Sequence, residues 1–307
     1  MRSKLSMGLA LAVLLLMMCA GVALAQGQEM TALDKTAAVE NYFYGAEQPG
    51  ALVDRVAKVE KTVYGLESKE ALLGKVDRVY GYMTQNAPAA PSFALKLNAT
   101  EWVLTHTVTA DAVNVRLENL EKLLIGTVSD EAFDSRLTKL AKLSFANGQL
   151  NVQAAQVSSD LLVKIMTITP LDTRTSLAGD QVVFRAAEDV IVEGTLVIAK
   201  GALGSGKVIK IDRSKNFGRD AKMEIAFDTI TALDGSNMNT VLGDKAKEKT
   251  RSMAKAAGAA VAGLVVLGPI GVVGGAFVHG EEVKMPAGTE LYIQTKTETQ
   301  VYGLQVK

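Results

Sequence analysis

Arg55-Val56-Ala57-Lys58-Val59-Glu60 and Arg116-Leu117-Glu118-Asn119-Leu120-Glu121 share one pattern: a basic residue, two apolar residues three apart, and a closing glutamate. Both belong to a longer repeat. Lys35, Arg55, Lys75, Lys96, Arg116 and Arg136 form a basic column with steps of 20, 20, 21, 20 and 20 residues. Three positions before them stand Ala32, Leu52, Leu72, Phe93, Val113 and Phe133. One position after come Thr36, Val56, Val76, Leu97, Leu117 and Leu137; four after, Val39, Val59, Val79, Thr100, Leu120 and Leu140. Eight after come Phe43, Val63, Met83, Leu104, Leu124 and Ser144, and the resulting spacing of 4-3-4 is a helical seam. Gly45, Gly65 and Gly126 follow where a left-handed residue would end a helix. A fixed period of this length marks an array of small supersecondary units. Six helical repeats of about 20 residues are expected over 26–148, divided three and three by a linker at 86–92.

The charges keep a fixed offset from the seam. With the apolar positions at d and a, the basic column falls at g, and Glu40, Glu60, Glu101 and Glu121 fall at e. In a parallel coiled coil, g of one chain meets the following e of its neighbour. The two hexads quoted above resemble the motif of short trimeric coiled coils, in which arginine bonds a neighbour's glutamate while its stem covers the seam. This resemblance implies a parallel homo-oligomer, a trimer, joined through Arg55, Glu60, Lys96, Glu101, Arg116 and Glu121. Val56, Val59, Leu117 and Leu120 would line its seam. A second arrangement stays open: six helices, each too short to be stable alone, folded back on one another within one chain.

Arg2 and Lys4, an apolar run from Leu9 to Met18 and the small-x-small site Ala23-Leu24-Ala25 predict a secretory leader over 1–25, cut after Ala25. The expected location is the periplasm or the outer-membrane side of a bacterial envelope. Cys19 lies inside that leader and is the only cysteine, so the exported chain has no disulfide or thiolate site. Removing Arg2 and Lys4 leaves 31 basic against 33 acidic residues, a balance that argues against nucleic acid as a partner. No His, Asp and Glu residues cluster at ligand spacing, and neither a metal nor a cofactor is expected.

From about Gln156 the period becomes strand-like, and a β-domain is expected over 156–307. Leu161–Thr169, Gln181–Ala186, Thr195–Ile198, Gly206–Ile211, Met223–Ile230 and Glu290–Thr295 are the candidate strands. Lys200-Gly201 and Asp234-Gly235 mark turns. Short strands at this spacing suggest a small barrel or sandwich, so the fold class is α+β. Within an insertion at 250–280, Ala256 to Val278 runs for 23 residues without a charge. Gly268-Pro269 should break a helix there. Small residues at helical spacing, Ala254, Gly258 and Ala262 in one half and Gly271 and Gly275 in the other, would let two short helices approach closely, and Gly263 belongs to the same hairpin. A helical hairpin is expected, covered by lipid, by other subunits or by its own barrel.

The order of features over 160–300 resembles the C-terminal barrel of the outer-membrane core subunit of type IV secretion and conjugation machines. Gly179-Asp180-Gln181-Val182, Leu196 to Ala202 with Gly206, Ile230 to Gly235 and Pro286-Ala287-Gly288-Thr289 carry it. The insertion is similar to glycine-zipper segments of envelope proteins. The family's helical hairpin and oligomeric assembly are what the resemblance implies here. No catalytic residue is expected: Asp212, Glu224 and Asp228 have no histidine near them in sequence, and Ser205 has no evident base. Gly204-Ser205-Gly206-Lys207 lacks the glycine spacing, hydroxyl and helix of a phosphate loop. The basic stretch Lys207, Lys210, Arg213, Lys215, Arg219 and Lys222 is interrupted by Asp212 and Asp220. The expected function is structural, an envelope oligomer with a hydrophobic hairpin. The alternative is a binding module for a cell-wall or surface polymer.

Overall fold

The computed structural model describes residues 30–213, 221–256, 266–267, 272–274 and 283–306. The expected leader and its cleavage point lie outside them. The chain divides into two compact units, one running to Gln153 with Leu233–Gly235, the other holding Ala154–Ala232 and Ser236 onward.

Each repeat of the first unit becomes one helix: α1 (Ala32–Tyr44), α2 (Leu52–Tyr64), α3 (Leu72–Thr84), α4 (Phe93–Thr105), α5 (Val113–Leu124) and α6 (Phe133–Ser144). Thr31 caps α1 in a reciprocal box with Asp34, and the Ser92 hydroxyl accepts from Leu95 N. The other four begin after alanines that offer no side-chain cap, so packing must hold them. Gly45 and Gly65 end α1 and α2 in the left-handed region, at φ 83° and 79°. His106 takes that position after α4, at φ 53°.

All six seams point into one core. Val39, Phe43, Val59, Val63, Val79, Met83, Phe93, Leu97, Val113, Leu117, Leu120, Phe133, Leu137 and Leu140 form a single buried cluster. Phe43 stands edge-on to Phe93 at 5.2 Å and tilted against Phe133 at 5.8 Å, which joins the first three helices to the last three. At about 1.5–3 kcal/mol per buried side chain, this cluster is what offsets the entropy of ordering helices this short. Among Val39, Val56, Val59 and Val76 it leaves a void of about 10 Å³, barely room for one water.

Strand β1 (Val152–Val157) begins in the first unit and continues into the second, which holds β2 (Leu162–Thr167), β3 (Leu171–Asp172), β4 (Gln181–Ala186), β5 (Val190–Val192), β6 (Thr195–Ile198), β7 (Leu203–Asp212), β8 (Lys222–Thr231) and β9 (Asn237–Val241). After α7 (Asp244–Ala256) come β10 (Val266–Leu267), β11 (Val272–Gly274), β12 (Lys284–Met285), β13 (Glu290–Thr295) and β14 (Thr299–Gln305). The order β8-β7-β4-β2-β13-β9 closes on itself through β8–β9, giving a six-stranded antiparallel barrel. Such a barrel is too narrow for a lumen and fills with side chains. Ile165, Phe184, Val208, Met223, Phe227, Met238 and Ile293 are buried, with Phe184 edge-on to Phe227 at 5.4 Å. A separate four-stranded sheet has the order β1-β14-β6-β5.

The glycines of Gly204-Ser205-Gly206 serve this barrel and not a phosphate. A Cβ on Gly204 would enter the Phe184 ring and lie 2.7 Å from Thr229 O. One on Gly206 would overlap Ala226 O and lie 3.0 Å from its carbonyl carbon. The ladder between β7 and β8 shifts register at Ser205/Gly206, where the two backbones come together.

The insertion departs from the expected pair of helices in its described pieces. Helix α7 precedes the uncharged run, and Val266–Leu267 and Val272–Gly274 are antiparallel strands that extend β8 through Met223 and Glu224. The valines of both pieces favour a pleated over a helical backbone. Gly258, Gly263, Gly268, Pro269, Gly271 and Gly275 themselves lie outside the described residues.

Candidate assembly sites

The charged columns meet inside one molecule. Arg55 donates to Glu40, with Nε–Oε1 at 3.0 Å. Lys75 and Arg78 both reach Glu60. Arg116 Nε lies 3.0 Å from Glu101, and Arg136 donates through two nitrogens to Glu121 at 2.9 and 2.8 Å. Every glutamate also ties down the loop after its own helix. Glu40, Glu60, Glu101 and Glu121 accept from the backbone N–H of Gln48, Ser68, Thr109 and Ser129, each eight residues on. All four carboxylates are buried.

Of the two arrangements left open, the described helices form the folded-back bundle, and the charges assigned to a parallel trimer pair within one molecule. In a coiled coil, the basic residue would meet a neighbour's glutamate five positions ahead. In this chain it meets its own glutamate 15 positions back. In a 20-residue repeat these two offsets fall on the same column, so the pattern by itself cannot separate them. Arg55, Glu60, Arg116 and Glu121 are engaged internally, and Val56, Val59, Leu117 and Leu120 are core. Lys96 has no glutamate in the preceding repeat, where Tyr80 stands in that column, and its ammonium lies 5.2 Å from the Tyr82 ring centroid.

The departures from the repeat now have a cause. Tyr80 and Ala141 replace the glutamate in α3 and α6, the last helix of each group of three; no repeat follows α6, and the 86–92 linker separates α3 from Lys96 of the next repeat. Lys35 and Lys96 begin the groups and have no glutamate behind them. Lys35 instead pairs with Asp77 at 2.6 Å and lies over Tyr80. The ion-pair network thus closes separately within α1–α3 and α4–α6.

Burial alone would raise the Glu60 carboxyl, but hydrogen bonds from Ser68, Arg78 and Lys75 overcome it and hold Glu60 below its ordinary value of 4.5. A depressed carboxylate contributes stability that is present above the unfolded value and lost as pH falls through the folded one. The melting temperature of the helical unit should therefore fall steadily once pH drops below about 4.5. Glu60→Gln should start lower and show a shallower acid slope. An unchanged slope would exclude Glu60 as a source. Burial pushes the Tyr42 and Tyr64 phenols up to about 12. Tyr82 is raised as well, by burial and by its hydrogen bond to Asp134.

Among the described residues the remaining candidates do not converge on a chemical centre; Lys215, Arg219 and Asp220 lie outside them. Ser205 Oγ pairs with Thr229 Oγ1 at 3.0 Å on adjacent strands. Lys210 is paired with Asp212 at 3.1 Å, which offsets charge on the β7–β8 hairpin. An open groove on α2 is lined by Val53, Asp54, Lys58, Lys61, Thr62 and Glu67, mixed in charge and without a buried polar group. Among the described residues no group of His, Cys, Asp or Glu could hold a metal ion, and no helix is long and apolar enough to cross a membrane.

No family model matches this chain, and no curated protein matches it significantly. Among solved structures, ComB10 of the Com type IV secretion system of Helicobacter pylori is similar over 47% of this chain and 88% of its own. The identity is 12% and the TM-score 0.25. ComB10 comes from the class of machine that the barrel motifs resemble, but a likeness at this level speaks for neither activity nor partner.

Proposed function

We propose that this is a non-enzymatic structural protein of a bacterial envelope, whose barrel presents a hydrophobic insertion to lipid or to other subunits. The topology supports it. The chain leaves the closed barrel after β9, lays α7 along β13, and supplies its next barrel strand only at β13; between them lie 23 uncharged residues, within which β11 adds to β8 outside the closed ring. Ala246 and Thr250 of α7 are buried, Gln294 Oε1 accepts from Ala246 N, and Thr250 Oγ1 accepts from Tyr292 N. The helix therefore belongs to the barrel, and the insertion proper begins behind it. None of the six barrel strands needs 257–282 to close the ladder.

Replacing 257–282 with a short glycine linker tests this. The shortened protein should keep its barrel, melt within a few degrees of the intact chain, and lose flotation with liposomes or higher-order assembly. A large fall in melting temperature with flotation unchanged would make the insertion part of the barrel's packing and end the proposal.

A further inference from the structure

We propose that β1 pairs edge to edge with β1 of a second copy of this chain, antiparallel across a twofold axis. Among the described residues the sheet order β1-β14-β6-β5 leaves two edges, and the sequence treats them differently. Strand β5 is three residues long, shifts register at Val190/Ile191, and is flanked by exposed Glu188 and by Glu193 at φ 49°. Shortness, irregularity and charge are the means by which proteins keep an edge from pairing. Strand β1 has none of them. Val152-Gln153-Ala154-Ala155-Gln156-Val157 is six residues long and contains no charge, proline or glycine. The barrel has no such edge, because β8–β9 closes it.

The outer row of backbone groups on an edge strand is complementary to another strand. An uncharged strand sets no like charges opposite each other in any register of self-pairing, and a twofold contact requires only one surface. The exposed Ala154 presents little bulk to a neighbour, and the Gln156 amide donates to Glu298 Oε1 at 3.0 Å. The inference deepens the assembly role proposed above but uses a different element from the insertion, so the two can fail separately.

Sedimentation velocity of the purified chain at tens of micromolar should give twice the monomer mass. Ala154→Lys and Ala154→Glu should each sediment as monomers with unchanged far-UV circular dichroism, and mixing them should restore the dimer. If Ala154→Lys fails to fold, Gln156→Lys takes its place, with Gln156→Glu as its mate. A wild-type monomer, a dimer that persists in both charge variants, or variants that stay apart on mixing would overturn the proposal. A dimer lost on removing 257–282 but kept by Ala154→Lys would place association in the insertion, which sinks the β1 pairing and leaves the assembly role standing.

Discussion

Arg116→Ala should destabilise the helical unit by about 3–5 kcal/mol, measured by denaturant unfolding. Arg116 is 3% exposed and its partner Glu101 4%. The guanidinium donates to both Glu101 and Asn98 Oδ1, the latter at 2.7 Å. Without it, the Glu101 carboxylate keeps only the Thr109 backbone N–H at 3.1 Å and hydroxyl at 2.7 Å to stabilise a full buried charge. Arg116→Glu should be worse, since it sets two carboxylates together. Adding Glu101→Arg should recover part of the loss, because those two residues form the pair. Adding Glu121→Arg should recover none, because Glu121 belongs to Arg136. Rescue by Glu121→Arg would show that the columns meet between chains after all. Replacing Arg116 and Glu101 together by apolar residues of similar volume should cost far less than either alone.

Gly206→Ala should cost the barrel more than about 4 kcal/mol, a range reserved for steric conflict or lost cores. The added methyl would overlap Ala226 O and lie 3.1 Å from Phe227 Cα, so β7 and β8 would have to separate along a ladder that closes the barrel. Backbone cannot yield as the end of a side chain can. Gly126→Ala is the control. Its φ is 86° with nothing within 4 Å of the new methyl, so only left-handed strain applies, about 1 kcal/mol. Thermal unfolding followed by near-UV circular dichroism separates the two. Equal costs at Gly126 and Gly206 would remove the steric account of the Gly-Ser-Gly strand.

The strands most legible in sequence were those with alternating or wholly apolar residues. Gln181–Ala186, Thr195–Ile198 and Glu290–Thr295 form as expected from residue type. Strand β9, Asn237-Met238-Asn239-Thr240-Val241, was not legible, although Met238 and Thr240 are buried and the strand closes the barrel. Its asparagines read as turn residues, and only the ladders to β8 and β13 on either side override that preference. Strand β14 was hidden in the same way by Gly303, where a Cβ would lie 2.6 Å from Thr195 Cγ2. Strands β10 and β11 were masked by the small residues around them, which fit close helices as readily as a hairpin.

The sequence alone determined the α+β class, the six helices, the seam that becomes their core and the glycines that stop the first two. These follow from local backbone preference and from a period that places apolar groups on one face. Tertiary structure alone decided which molecule answers each charge. A repeat of 20 residues makes a partner five positions ahead in a neighbour equivalent to one 15 positions back in the same chain. The loops then chose, because Glu40, Glu60, Glu101 and Glu121 each bond the loop that turns the chain back as well as the cation it brings. One buried carboxylate satisfies both, and that is possible only when the next helix returns beside the last.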